Sequence, residues 1–224
     1  TYMGIIAAIT IITLWASHLL YSLKYSEVNF VSPVFYLHVL IQGYLFTGLF
    51  ITAHDAMHGT VSRNNTVNKF TGVLTTFLFA GLSYSKLLRN HKLHHIHSGT
   101  AEDPDYCVKS QNFFVWFARF FMKYVSIYQI IIVGINFNIL KYFFPEISVW
   151  FYYVVPAVLG TLQLFYFGTY RPHKLPHTDD MQPHNARTLK TNHFWAMVSC
   201  YFFGYHSEHH AGPHIPWWQL YKTK

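Results

Sequence analysis

The chain has 224 residues, of which 52% are hydrophobic and only 11% charged, against about 25% charged in soluble globular domains. A chain so poor in charge cannot clothe a water-facing surface, which excludes an ordinary soluble domain. The formal net charge of +7 suits an anionic membrane face, and because the basic residues are scattered between apolar runs, nucleic acid is not an expected partner.

A transmembrane helix needs about 20 consecutive apolar residues, and four stretches approach that length: residues 4–23, 34–53, 124–140 and 149–170. The first has neither a basic leader nor a small-residue cleavage signature, so it reads as a retained span. Residues 70–82 and 194–203, and the aromatic run 113–121, are apolar but too short to cross alone, and are expected at the interface. Four crossings put 54–112 and 171–224 on one side, with only 24–33 and 141–148 on the other. Lys24 and Lys141 fall on that second side and the other 14 of the 16 Lys and Arg residues on the first. The positive-inside rule then makes the first side cytoplasmic and the chain a multi-pass protein of the plasma membrane. No repeat, low-complexity tract or linker interrupts it. The predicted fold is therefore all-α integral membrane, four transmembrane helices plus interfacial helices in one domain over 1–224, with the lipid bilayer as its surroundings. Cys107 and Cys200 are too few for a disulfide framework and read as packing or surface residues.

Histidines number 16, as many as Lys and Arg together. Three clusters stand out: His54-Asp55-Ala56-Met57-His58, His91-Lys92-Leu93-His94-His95 and His206-Ser207-Glu208-His209-His210. Spacing of i,i+4 puts two imidazoles on one helix face, while adjacent histidines diverge by about a third of a turn, so one short helix can serve two ions. The charge-derived topology gathers all three clusters at one membrane side. Imidazole suits iron, copper, nickel and zinc, and a zinc site uses only three or four protein ligands, so His54, His58, His91, His94, His95, His206, His209 and His210 imply two metals. A zinc protease would need Glu after the first histidine, where this chain has Asp55. A transporter would place its histidines within the spans; only His18 and His38 lie there, and both read as packed residues. Asp55, Asp103, Asp105 and Glu208 are expected to accept ring N–H groups of ligand histidines and orient them, although Asp103-Pro104-Asp105 equally fits an Asx-capped turn.

These boxes resemble the membrane fatty-acid desaturase and hydroxylase superfamily. With Glu102-Asp103-Pro104-Asp105-Tyr106, Phe167-Gly168-Thr169-Tyr170-Arg171-Pro172-His173, His184-Asn185-Ala186-Arg187 and Pro216-Trp217-Trp218, the chain is similar to bacterial β-carotene ketolases. The resemblance implies a cytoplasmic non-haem di-iron site with O2 as co-substrate. It implies oxidation of carbon 4 of a β-ionone ring through a geminal diol to the ketone, taking β-carotene through echinenone to canthaxanthin and 3-hydroxylated rings towards astaxanthin. A ferredoxin-type electron donor would dock on the basic face. Carotenoid hydroxylases and acyl-lipid desaturases share the boxes and are the alternatives. Related desaturases use a ninth histidine after the last span; His173 fits best, with His177, His184 and His193 competing, while His97 and His214 read as surface or supporting residues. Where family members often carry Cys-aromatic-His-Phe, this chain reads Cys200-Tyr201-Phe202-Phe203, so a role at that position does not transfer. Tyr44, Phe46, Phe165 and Trp195 are expected nearer the carotenoid than the average aromatic residue.

Overall fold

The computed structural model describes residues 2–224, and among them the regular structure is entirely helical. The helices are α1 (Met3–Tyr25), α2 (Pro33–Met57), α3 (Asn65–Ala80), α4 (Tyr84–His97), α5 (Phe113–Tyr124), α6 (Ile127–Phe143), α7 (Glu146–His173), α8 (His193–Cys200) and α9 (His206–Ala211). Their boundaries follow local chemistry. Pro33 opens α2 where its missing N–H costs nothing. Asn64 caps α3 by accepting the Thr66 and Val67 amides, and Gly81, at φ 65°, ends it in the left-handed region. Ser83 caps α4 by accepting the Lys86 amide.

Three helices, α1, α2 and α7, are long and apolar enough to cross a membrane, and a fourth crossing arises if α5 and α6 count together. The expected aromatic run 113–121 lies in α5 and the expected third span 124–140 mostly in α6, and between them the chain bends by 88°. Ser126 is extended and its hydroxyl accepts the Gln129 amide, so it caps a new helix instead of continuing the old one. The expected apolar segment 70–82 lies mostly in α3, and 194–203 is α8 followed by Tyr201 and Phe202 at positive φ.

Helix α2 is the axis of the bundle, flanked by α1, α3 and α7. Phe46, Leu49 and Ile51 on α2 are fully buried, as is Tyr152 on α7. Several polar side chains inside the bundle satisfy one another, as an apolar medium favours. Thr47 donates to Gln163, whose amide donates to the Ser199 carbonyl at 2.5 Å. His18 pairs with Gln42 at 2.6 Å and with His38 at 3.1 Å, so both in-span histidines are packed network members. Cys107 and Cys200 are likewise buried. Helix α7 carries π-type turns at Trp150–Val154 and Tyr166–Tyr170. Pro156 and Pro172 lie just beyond them and supply no amide to the preceding turn, which widens the helix there.

Candidate metal centre

Four helix ends carry the histidines to one place. His54 closes α2 and His58 is its C-cap; His91, His94 and His95 lie on α4; His173 ends α7; His206, His209 and His210 lie on α9. They sort into two groups whose nitrogen atoms lie within 4.8 Å of one another: His54, His58, His91, His95 and His209, and His94, His173, His206 and His210. The adjacent pairs His94/His95 and His209/His210 part into different groups, as neighbours on a helix must.

Ring edges point inward. In the first group His58 Nε2 lies 2.7 Å from His91 Nε2, His95 Nε2 lies 3.1 Å from His91 Nε2, and His95 Nε2 lies 3.0 Å from His209 Nε2. In the second, His206 and His210 bring their Nε2 atoms to 3.1 Å. Adjacent ligands around one ion at about 2.1 Å stand about 3 Å apart. Nε2 of His54 and of His173 is buried without any hydrogen-bond partner, an arrangement that is costly unless a ligand completes it. His173 Nδ1 meets the Asn185 carbonyl at 2.9 Å, and His94 Nδ1 meets both Asp103 oxygens at 3.0 Å. Donation through Nδ1 leaves the Nε2 lone pair free. The residues therefore fit two metal ions held by imidazole.

Burial holds most of these imidazoles neutral: His58 is pushed down to about 4 and His95 to about 2, while His91, His206, His209 and His210 also lie well below the ordinary value. Protons therefore do not compete for the lone pairs near neutrality. His94 differs: burial opposes its charge, but Asp103 beside it raises its pKa.

The expected orienting carboxylates divide. Asp103 meets a ring nitrogen as anticipated. Asp55 follows His54 by one residue and is turned away from the ring, its closest approach to Nδ1 being 3.9 Å; it instead accepts the Trp217 amide at 3.3 and 3.4 Å. Glu208, offset in the same way from His209, accepts the Thr188 hydroxyl at 2.5 Å. Asp105 accepts the Tyr124 hydroxyl at 2.5 Å, and burial raises its pKa to about 6. Of the other histidines, His177 Nε2 meets the His173 carbonyl at 2.9 Å, His184 has its ring centre 5.5 Å from that of His210, and His193 is exposed and pairs with the Tyr205 hydroxyl at 3.0 Å. His97 is half-buried and His214 exposed, and neither joins a group.

A model of the fatty acid desaturase family matches residues 32–147 and 124–224. The chain belongs to that family. Among individual desaturase-family relatives, the zeaxanthin 4-ketolase of Chlamydomonas reinhardtii is 35% identical over 99% of this chain and 53% of its own length. The beta-carotene ketolase of Paracoccus sp. (strain PC1) is 38% identical over 81% of this chain and 75% of its own. The Delta 8-(E)-sphingolipid desaturase of Emericella nidulans is 37% identical over 36% of this chain and 14% of its own. The chain thus spans about half of the first relative and three quarters of the second. No solved structure matches.

In this desaturase-family chain a cavity of about 380 Å³ touches His54, His91, His94 and His206 of the two histidine groups. Its walls are apolar, with Phe50, Phe79, Phe121, Val133 and Leu164 among them. Tyr44, Phe46, Phe165 and Trp195, expected nearer the carotenoid than the average aromatic residue, do not line it. Phe46 and Phe165 are wholly buried in packing, Tyr44 stacks on Tyr201 at 4.2 Å and donates to the Met197 carbonyl, and Trp195 is 57% exposed. Phe50 had a legible signal, standing one turn before His54 on the same helix face.

Proposed function

We propose that the chain is a dioxygen-dependent carotenoid ketolase that places a keto group on carbon 4 of β-ionone rings, in β-carotene and in ring-hydroxylated relatives. The observation that carries this reading is a double imidazole cluster in the wall of a mostly apolar cavity. It is joined by likeness to ketolases over 81–99% of the chain.

In this reading iron occupies both groups, with His54, His58, His91, His95 and His209 around one ion and His94, His173, His206 and His210 around the other. Bound iron would supply activation of dioxygen and the oxidising power to cleave an unreactive C–H bond. The chain's own part is positional. Asp103 and the Asn185 carbonyl fix two rings by their Nδ1 edges, neutral imidazoles leave the ions' charge unopposed, and the apolar walls seat the hydrocarbon ring and keep out water. Each insertion consumes one dioxygen, an electron pair and two protons, yielding the alcohol and water; a second insertion at the same carbon gives the geminal diol, which loses water to become the ketone. Electrons would come from a ferredoxin-type protein at the basic face, with the histidine side cytoplasmic and the chain in the plasma membrane.

Expression in cells that accumulate β-carotene, followed by pigment analysis, tests this directly. Echinenone and canthaxanthin are the expected products. β-Carotene left unchanged by folded, iron-loaded protein refutes it.

A further inference from the structure

The 380 Å³ cavity is mostly apolar; besides Gln129, Thr161 and Thr169, its lining holds a hydrogen-bonded carboxylate and phenol, Asp105 and Tyr124. A hydrocarbon ring has no use for either. Polar groups facing apolar space are costly unless something bonds to them, so the pair calls for its own explanation. Tyr124 sits at the end of α5, at the elbow before α6, and its hydroxyl donates to Asp105 Oδ1 at 2.5 Å. Asn90 also approaches that hydroxyl. The pair's one proton is thereby committed between its own two members, and what remains is acceptor capacity on the carboxylate and the phenol oxygen.

An acceptor pair discriminates by chemistry. It bonds a hydroxyl, which can donate, and offers nothing to a C–H bond or a ketone, which cannot. It also stands beside the histidines: Asp105 follows by two residues the carboxylate that meets His94 Nδ1, and it lines the same cavity as His94. A ring lying in this cavity therefore meets both the histidines and the pair.

We propose that the Asp105–Tyr124 pair is a specificity element that binds the ring alcohol. It holds the singly oxidised intermediate, or a ring hydroxylated beforehand, for oxidation at the metal centre, and it releases the ketone. Tyr124 and Asp105 are positioning residues in this account, and the inference rests on the ketolase reading above.

The test uses the iron-loaded full chain in lipid nanodiscs, with β-carotene and the same carotene bearing a ring hydroxyl as probes. Tyr124→Phe removes one neutral acceptor of the pair, so it should weaken binding of the hydroxylated carotenoid up to about tenfold, with β-carotene binding changed less than about twofold. In carotenoid-accumulating cells the same variant should raise the ratio of hydroxylated intermediate to ketone up to about tenfold at wild-type iron content. Asp105→Asn, which keeps the volume but not the charge, should move both readouts in the same direction. Unchanged discrimination between the two probes overturns the inference, as does an equal loss for both or a loss of iron from both variants. If the wild-type chain makes no ketone yet prefers the hydroxylated probe, the ketolase reading fails and the alcohol site stands; if it makes ketone without that preference, the reverse holds.

Discussion

Asp103 meets His94 Nδ1 with both carboxylate oxygens, each at 3.0 Å, and the same carboxylate accepts the Gly99 and Asp105 amides at 2.9 and 2.8 Å. One buried group thus fixes a ring of α4 and the turn that follows it. Asp103→Asn keeps the shape while removing the charge that holds His94 in its tautomer. Metal affinity should fall about 10- to 100-fold, read by competition with a chelator, while helical content stays unchanged.

His173 is placed with His94, His206 and His210, whereas His177 and His193 bond elsewhere. His173→Ala should lower bound iron from about two ions towards one per chain, measured by elemental analysis of purified protein. His193→Ala should leave the iron content at the wild-type level.

Gly168 allows α7 to approach the loop before α9 closely: a Cβ there would lie 2.1 Å from Phe203 Cε1. Phe203 is packed against His54 and His206, and it lines the cavity. Gly168→Ala should cost about 1–3 kcal/mol, seen as a lower melting temperature in detergent, and should depress product yield further by pushing Phe203 into the cavity.

Metal-free protein should lose stability in acid. Burial lowers His58 to about 4 from the 6.5 of the unfolded chain, so its contribution is complete above about 6.5 and disappears as the pH falls through that window, because the unfolded chain binds the proton first. The buried imidazoles of α9 act in the same direction. Thermal melts of apo-protein between pH 7.5 and pH 4 (about the range that spans the ordinary histidine pKa) should fall steadily, and iron loading should raise the melting temperature without flattening that slope, because the folded imidazoles are already neutral.

The aromatic residues outside the cavity give a contrast. Trp195→Ala, at a 57% exposed position, should leave product yield unchanged at equal protein level. Phe50→Ala alters the cavity wall beside His54 and should reduce yield, as pigment analysis would register.

How far the sequence could be read depended on whether the pattern was local. The boxes were legible because i,i+4 spacing acts within a single helix, and the split of His94 from His95 follows from the same geometry. The break between the aromatic run 113–121 and the stretch from 124 was legible too, but its 88° angle was not, since no local pattern encodes it. Asp55 and Glu208 were expected to orient ligand histidines, but their partners, Trp217 and Thr188, come from other stretches of chain. The cavity wall is likewise assembled from α2, α3, α5, α6 and α7, a juxtaposition that no single segment's periodicity discloses.

The sharing of α4 between both histidine groups makes its rotational setting a common point of failure. One residue inserted or removed between Ser83 and His91 would turn the downstream helix by about 100°, carrying His91 and His95 out of one group and His94 out of the other in a single event. Length variation in this chain is therefore confined by geometry to segments such as 24–33 or 141–146, where an added residue rotates nothing that binds.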